Sequence, residues 1–71
     1  AFVSRKHAEL SFREGVLWVS DLGSTNHTYI NGEQIATESC RLSENDVLSL
    51  GGWANNENKQ PQAAYFRVRY Q

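Results

Sequence analysis

Two short polar segments hold the residues with which this sequence could do chemistry. The first is Ser4-Arg5-Lys6-His7 and the second is Gly23-Ser24-Thr25-Asn26-His27-Thr28. Together they offer hydroxyls from Ser4, Ser24 and Thr25, an amide from Asn26, cations from Arg5 and Lys6, and backbone N–H groups loosened by Gly23. Such a set of donors with positive charge, and no acceptor-only carboxylate beside it, suits a phosphate dianion, whose oxygens accept hydrogen bonds and favour charge-assisted ones. Each segment alone reads as an ordinary turn, because Ser, Thr, Asn and Gly are turn-forming residues. They make a site only if the fold brings them to one place, so the elements between them decide the question.

Those elements read as short strands. Ala8, Leu10 and Phe12 alternate with Glu9, Ser11 and Arg13, the period-2 pattern of a strand with one face buried. Glu14-Gly15 ends this run and residues 16–20 resume it, which predicts a hairpin. In an antiparallel hairpin the start of one strand lies beside the end of the next, so both polar segments should meet at one end. Tyr29-Ile30, Asn31-Gly32 and Gln34-Ile35 predict a second hairpin, since Asn-Gly supplies the two positive φ angles of a type I′ turn.

Val47, Leu48 and Leu50 predict another strand. Residues 64–70 predict a closing one, in which Phe66, Val68 and Tyr70 form a dry face opposite Tyr65, Arg67 and Arg69. No stretch keeps a 3.6-residue period over three turns, so the fold class is all-β, an antiparallel sandwich or barrel. Residues 51–63 form a long loop between the last two strands, rich in Gly and Asn, and loops of that length are usually functional or mobile. Trp53 within it is expected to fold back over the sandwich edge, because its burial stabilises by ~2 kcal/mol or more.

Composition removes several function classes. Seven basic and eight acidic residues give a net charge of −1 with no charged block, which argues against nucleic acid or an anionic membrane as partner. Apolar runs are too short for a transmembrane span or a signal peptide. A single cysteine, Cys40, cannot form an intrachain disulfide and fits a reducing compartment, so the expected location is cytoplasmic, or nuclear in a eukaryote. Ser4, His7, His27 and Asp21 contain the letters of a catalytic triad, but no G-x-S-x-G elbow accompanies them, and the chain reads as a non-enzyme. His7, His27 and Cys40 match no metal spacing, and neither metal nor cofactor is expected. With 71 residues and no disulfide or metal staple, the core is small for an independent domain.

The ordered motifs resemble those of the forkhead-associated (FHA) domain. The resemblance runs through Val3-Ser4-Arg5-Lys6-His7-Ala8, Asp21-Leu22-Gly23-Ser24-Thr25-Asn26 and Thr28-Tyr29-Ile30-Asn31-Gly32, then Leu42 to Leu50 and residues 64–70. It implies a SMAD/FHA-like antiparallel β-sandwich that binds phosphothreonine peptides through loops at one end. Carried over, Ser4, Arg5, Ser24 and Thr25 would contact the phosphate or its surroundings, and Asn26 would hold the peptide main chain. His7 would brace the two loops, and Gly23, Asn31 and Gly32 would form turns.

His27 stands where the family usually has Gly, a position with a tight backbone turn. The resemblance also implies that residues 1–71 are part of one FHA-like domain, N-terminally truncated, because some three strands and a phosphate-binding Gly-Arg pair precede the serine motif in the family. An open sheet edge would then favour strand-mediated self-association. Phe2 and residues 51–62 are expected to shape the pocket for the residue three after the phosphothreonine. The alternative function is a phosphate-independent interaction sandwich that uses Trp53 and the long loop.

Overall fold

A computed structural model of the chain describes residues 7–70, so Phe2, Ser4, Arg5 and Lys6 lie outside the described residues. Seven strands follow one another: β1 (Ala8–Arg13), β2 (Val16–Asp21), β3 (Thr28–Ile30), β4 (Glu33–Gln34), β5 (Cys40–Leu42), β6 (Val47–Leu50) and β7 (Ala64–Arg67). They form two antiparallel sheets, one in the order β1-β2-β5 and the other in the order β4-β3-β6-β7. The architecture is all-β, as the alternation of apolar residues predicts.

Local chemistry explains the two tight hairpins. Glu14 and Gly15 have φ of 52° and 77°, and Asn31 and Gly32 have 53° and 85°. Both turns therefore have the type I′ signature that matches the right-handed twist of the flanking strands. Arg13 pairs with Val16 across the first turn and Ala8 with Asp21 at the far end, which brings His7 beside Leu22. Asn31 does more than turn the chain. Its side chain accepts a hydrogen bond from Val47 N at 2.9 Å and donates to Asp46 Oδ1 at 3.0 Å, tying the second hairpin to the start of β6.

The core lies between the sheets. Val19 and Leu42 from one sheet meet Leu48 from the other and Val68 just beyond β7, with Ala8, Leu17, Ile30, Ile35, Cys40 and Tyr70 packed around them. Tyr70 also serves as a polar clip, because its hydroxyl accepts from Leu17 N at 2.9 Å and donates to the Leu42 carbonyl at 2.5 Å.

Three expectations change. Strand β5 has no counterpart in the sequence reading, since Cys-Arg-Leu is too short to show a period. The closing strand ends at Arg67 rather than Tyr70; Val68 N instead donates to Asp46 O at 2.8 Å, and Asn45 N to Val68 O at 2.9 Å. Its apolar face is also not uniformly dry. Val68 is buried but Phe66 is 56% exposed. The face of β1 expected to be buried is likewise open, with Leu10 54% and Phe12 66% exposed, because Phe66 and Leu10 border an open groove between the sheets. Residues 51–63 fold into a small hairpin of their own. Gln60 N donates to Trp53 O at 3.0 Å, Trp53 N to Gln60 Oε1 at 2.9 Å, and Ala54 bridges Lys59. Trp53 is partly buried and Ala54 fully so.

Candidate functional site: the His7 end of the sandwich

His7, the last residue of the first polar segment, meets the second segment where the sequence places it. Leu22 N donates to His7 O at 2.9 Å, extending the β1–β2 ladder by one pair. The loop of residues 22–27 then crosses from β2 in one sheet to β3 in the other. His7 is buried, and its Nε2 donates to the His27 carbonyl at 2.6 Å. The same carbonyl accepts from Gly51 N at 3.0 Å, so the chain at His27 is held from two sides. A backbone φ of 65° at His27 is the left-handed geometry for which glycine is the usual residue.

Asp21 organises the loop from beneath. Its Oδ1 accepts the hydroxyl protons of Ser24 at 2.5 Å and Thr28 at 2.6 Å, and its Oδ2 accepts from the backbone N–H groups of Gly23 and Ser24, both at 3.0 Å. Burial pushes the Asp21 carboxyl up, but these side-chain and backbone hydrogen bonds more than offset it and hold the group below the usual carboxylate range. It is therefore an anion at neutral pH whose lone pairs are directed inward at four donors. His7 Nε2 lies 4.0 Å from Asp21 Oδ1, close enough for the pair to stabilise each other whenever the imidazole is protonated.

This corrects one feature of the sequence reading, which finds only donors around the loop. The carboxylate is present, but it faces the interior. Ser24, expected among the ligand contacts, is likewise turned inward: it is buried, and its hydroxyl donates to Asp21. Thr25 is exposed at the loop tip and Asn26 is half-buried beside it. Ser4 and Arg5 lie outside the described residues. His7, His27 and Cys40 do not gather into a metal-binding cluster among the described residues. Asp21 is the residue whose role the sequence does not announce, although a strand-ending Asp followed by Leu22-Gly23-Ser24 and a nearby Thr is the pattern of an Asx-type turn.

Comparison with known proteins bears on what this end of the sandwich does. The chain matches the family model of the FHA domain over residues 1–51. It is also similar to the glycogen accumulation regulator GarA of Mycolicibacterium smegmatis, 41% identical over 49 residues, which cover 69% of this chain and 30% of that protein. The chain thus spans less than a third of that relative's length. No solved structure matches it.

Proposed function

The chain belongs to the FHA-domain family, and on that premise we propose that it is a phosphothreonine-dependent peptide- or protein-binding module in Ser/Thr-kinase signalling. FHA domains bind phosphopeptides and are binding modules rather than enzymes. The observation that carries the residue-level reading is the Asp21-anchored loop. Four hydrogen bonds to one carboxylate fix residues 23, 24 and 28, so the Thr25 and Asn26 between them are displayed on a preorganised support. Preorganisation matters because ordering a loop at the moment of binding would subtract from affinity.

In this reading Thr25 donates its hydroxyl to the phosphate and Asn26 holds the peptide main chain. Ser4 and Arg5 supply the second hydroxyl and a cation from the facing segment. Ser24 contributes by shaping the loop through Asp21, and its backbone lies next to the phosphate. His7 and Gly23 position the loops, while Asn31 and Gly32 hold the adjoining hairpin. Among the described residues no helix is long and apolar enough to cross a membrane.

Titration of matched phosphothreonine, phosphoserine and unphosphorylated peptides against the chain tests the proposal. Binding confined to the phosphothreonine peptide is the expected result. Equal affinity for all three would replace this reading with a phosphate-independent interaction module.

A further inference from the structure

The outer face of the β1-β2-β5 sheet carries a cluster that the phosphate-binding reading leaves unused. Leu17 and Val19 point into the core from β2, and Cys40 and Leu42 do so from β5. Alternation therefore turns Trp18 and Arg41 outward, and the two are direct partners across the strands. Ala8 packs inward from β1, so Arg13 faces outward there together with Glu9 and Ser11. The Arg13 guanidinium lies 4.6 Å from the centre of the Trp18 ring. The indole thus stands on the central strand of its sheet, between two arginines contributed by the flanking strands.

Both arginines are uncompensated. Among the described residues the ion pairs are His7–Asp21 and Arg69–Glu44, so neither Arg13 nor Arg41 is paired with a carboxylate. Both side chains are exposed, and with Trp18, Val16 and Glu14 they line an open concavity of about 680 Å³. Glu14, in the hairpin turn, is the acidic residue of that lining. Contact with the indole also restricts Arg13, so less side-chain entropy is lost when it takes an anion.

We propose that the Arg13–Trp18–Arg41 face is a docking site for an acidic peptide segment, whose Asp or Glu carboxylates meet the two guanidiniums. Charge complementarity selects this occupant. Each guanidinium offers a fork of N–H donors that matches a carboxylate bidentately. Strands β1 and β5 lie two strand spacings apart, ~10 Å, a distance that an extended segment covers at ~3.3 Å per residue. Nucleic acid fits less well. The Trp18 ring that would stack a base already holds Arg13, and the chain's net charge is −1. Trp18 is three residues from Asp21, ~10 Å along β2, and lies on the sheet face rather than at its end. The site is therefore separate from residues 23–28 and does not rest on the phosphothreonine reading.

Two-dimensional amide NMR of the chain, titrated with an unphosphorylated Glu-rich peptide and with its Gln-substituted match, tests the proposal. Saturable shifts at residues 13–18 and 41 are expected with the Glu-rich peptide alone, weakening as salt rises. Arg13→Gln and Arg41→Gln should each reduce affinity by roughly threefold to tenfold. Glu14→Gln should tighten binding about twofold, because it removes the like charge from the concavity. Damage to the fold would not produce that gain. Equal binding of the two peptides, unchanged affinity in both arginine variants, or shifts confined to residues 23–28 would overturn the proposal. So would a single-stranded oligonucleotide that gives the same shifts and binds more tightly than the peptide.

Discussion

The Thr28 hydroxyl donates to Asp21 Oδ1 at 2.6 Å, joining the last residue of β2 to the first residue of β3 and hence one sheet to the other. Both residues are buried, Thr28 completely. Thr28→Val keeps the shape and removes the donor, so it should lower stability by about 1–2 kcal/mol. Asp21→Asn should cost more, about 2–3 kcal/mol, since an amide NH2 would face donors where the carboxylate accepts. Chemical denaturation of the two variants checks the order.

Acid should expose the same anion. The folded-state pKa of Asp21 lies below its value in the unfolded chain, because its hydrogen bonds outweigh its burial. Between the two values the unfolded chain binds more protons, so stability rises with pH there. The contribution is complete above the ordinary aspartate range near pH 4 and is lost as pH falls through the lower folded value. Urea midpoints measured from pH 6 to pH 2.5 should decline below about pH 4, and Asp21→Asn should show a shallower decline.

His27 occupies a left-handed backbone position, φ 65°. A β-branched residue there is a genuine outlier. His27→Val should therefore lose about 1–2 kcal/mol, whereas His27→Gly should stay within about 1 kcal/mol of the parent, relief of strain being offset by greater unfolded-state entropy. At this chain length 1 kcal/mol moves Tm by roughly 4–8 °C, well within calorimetric resolution. A Val variant that melts with the parent would show that the backbone at 27 is not held left-handed.

At the opposite turn, Asn31 combines positive φ with two side-chain hydrogen bonds. Asn31→Gly should keep the turn and lose the bonds, costing about 1–2 kcal/mol. Asn31→Ala should lose both and cost more. Equal stabilities for the two would show that the backbone angle contributes nothing at this position.

Much of this was legible in the chain. Glu14-Gly15 and Asn31-Gly32 announced their hairpins because few residue pairs tolerate two consecutive positive φ angles. The convergence of His7 with residues 23–28 followed from antiparallel geometry alone. The inward turn of Ser24 was not legible, because a serine next to glycine looks the same whether its hydroxyl meets a buried carboxylate or solvent. Nor was β5, whose three residues are a strand only because β2 offers Trp18 as a partner to Arg41. Nor is the exposure of Phe66, Leu10 and Phe12 legible, because alternation reports which face a residue takes, not whether another element covers that face.

The central claim is that the loop anchored by Asp21 grips phosphothreonine. Two-dimensional amide NMR of the chain, titrated with a phosphothreonine peptide and then with its unphosphorylated match, tests it most directly. The account predicts saturable shifts concentrated at residues 23–28 and His7 with the phosphorylated peptide alone. Shifts that instead map to residues 53–60 or to the groove between the sheets, or that appear equally with both peptides, would contradict it.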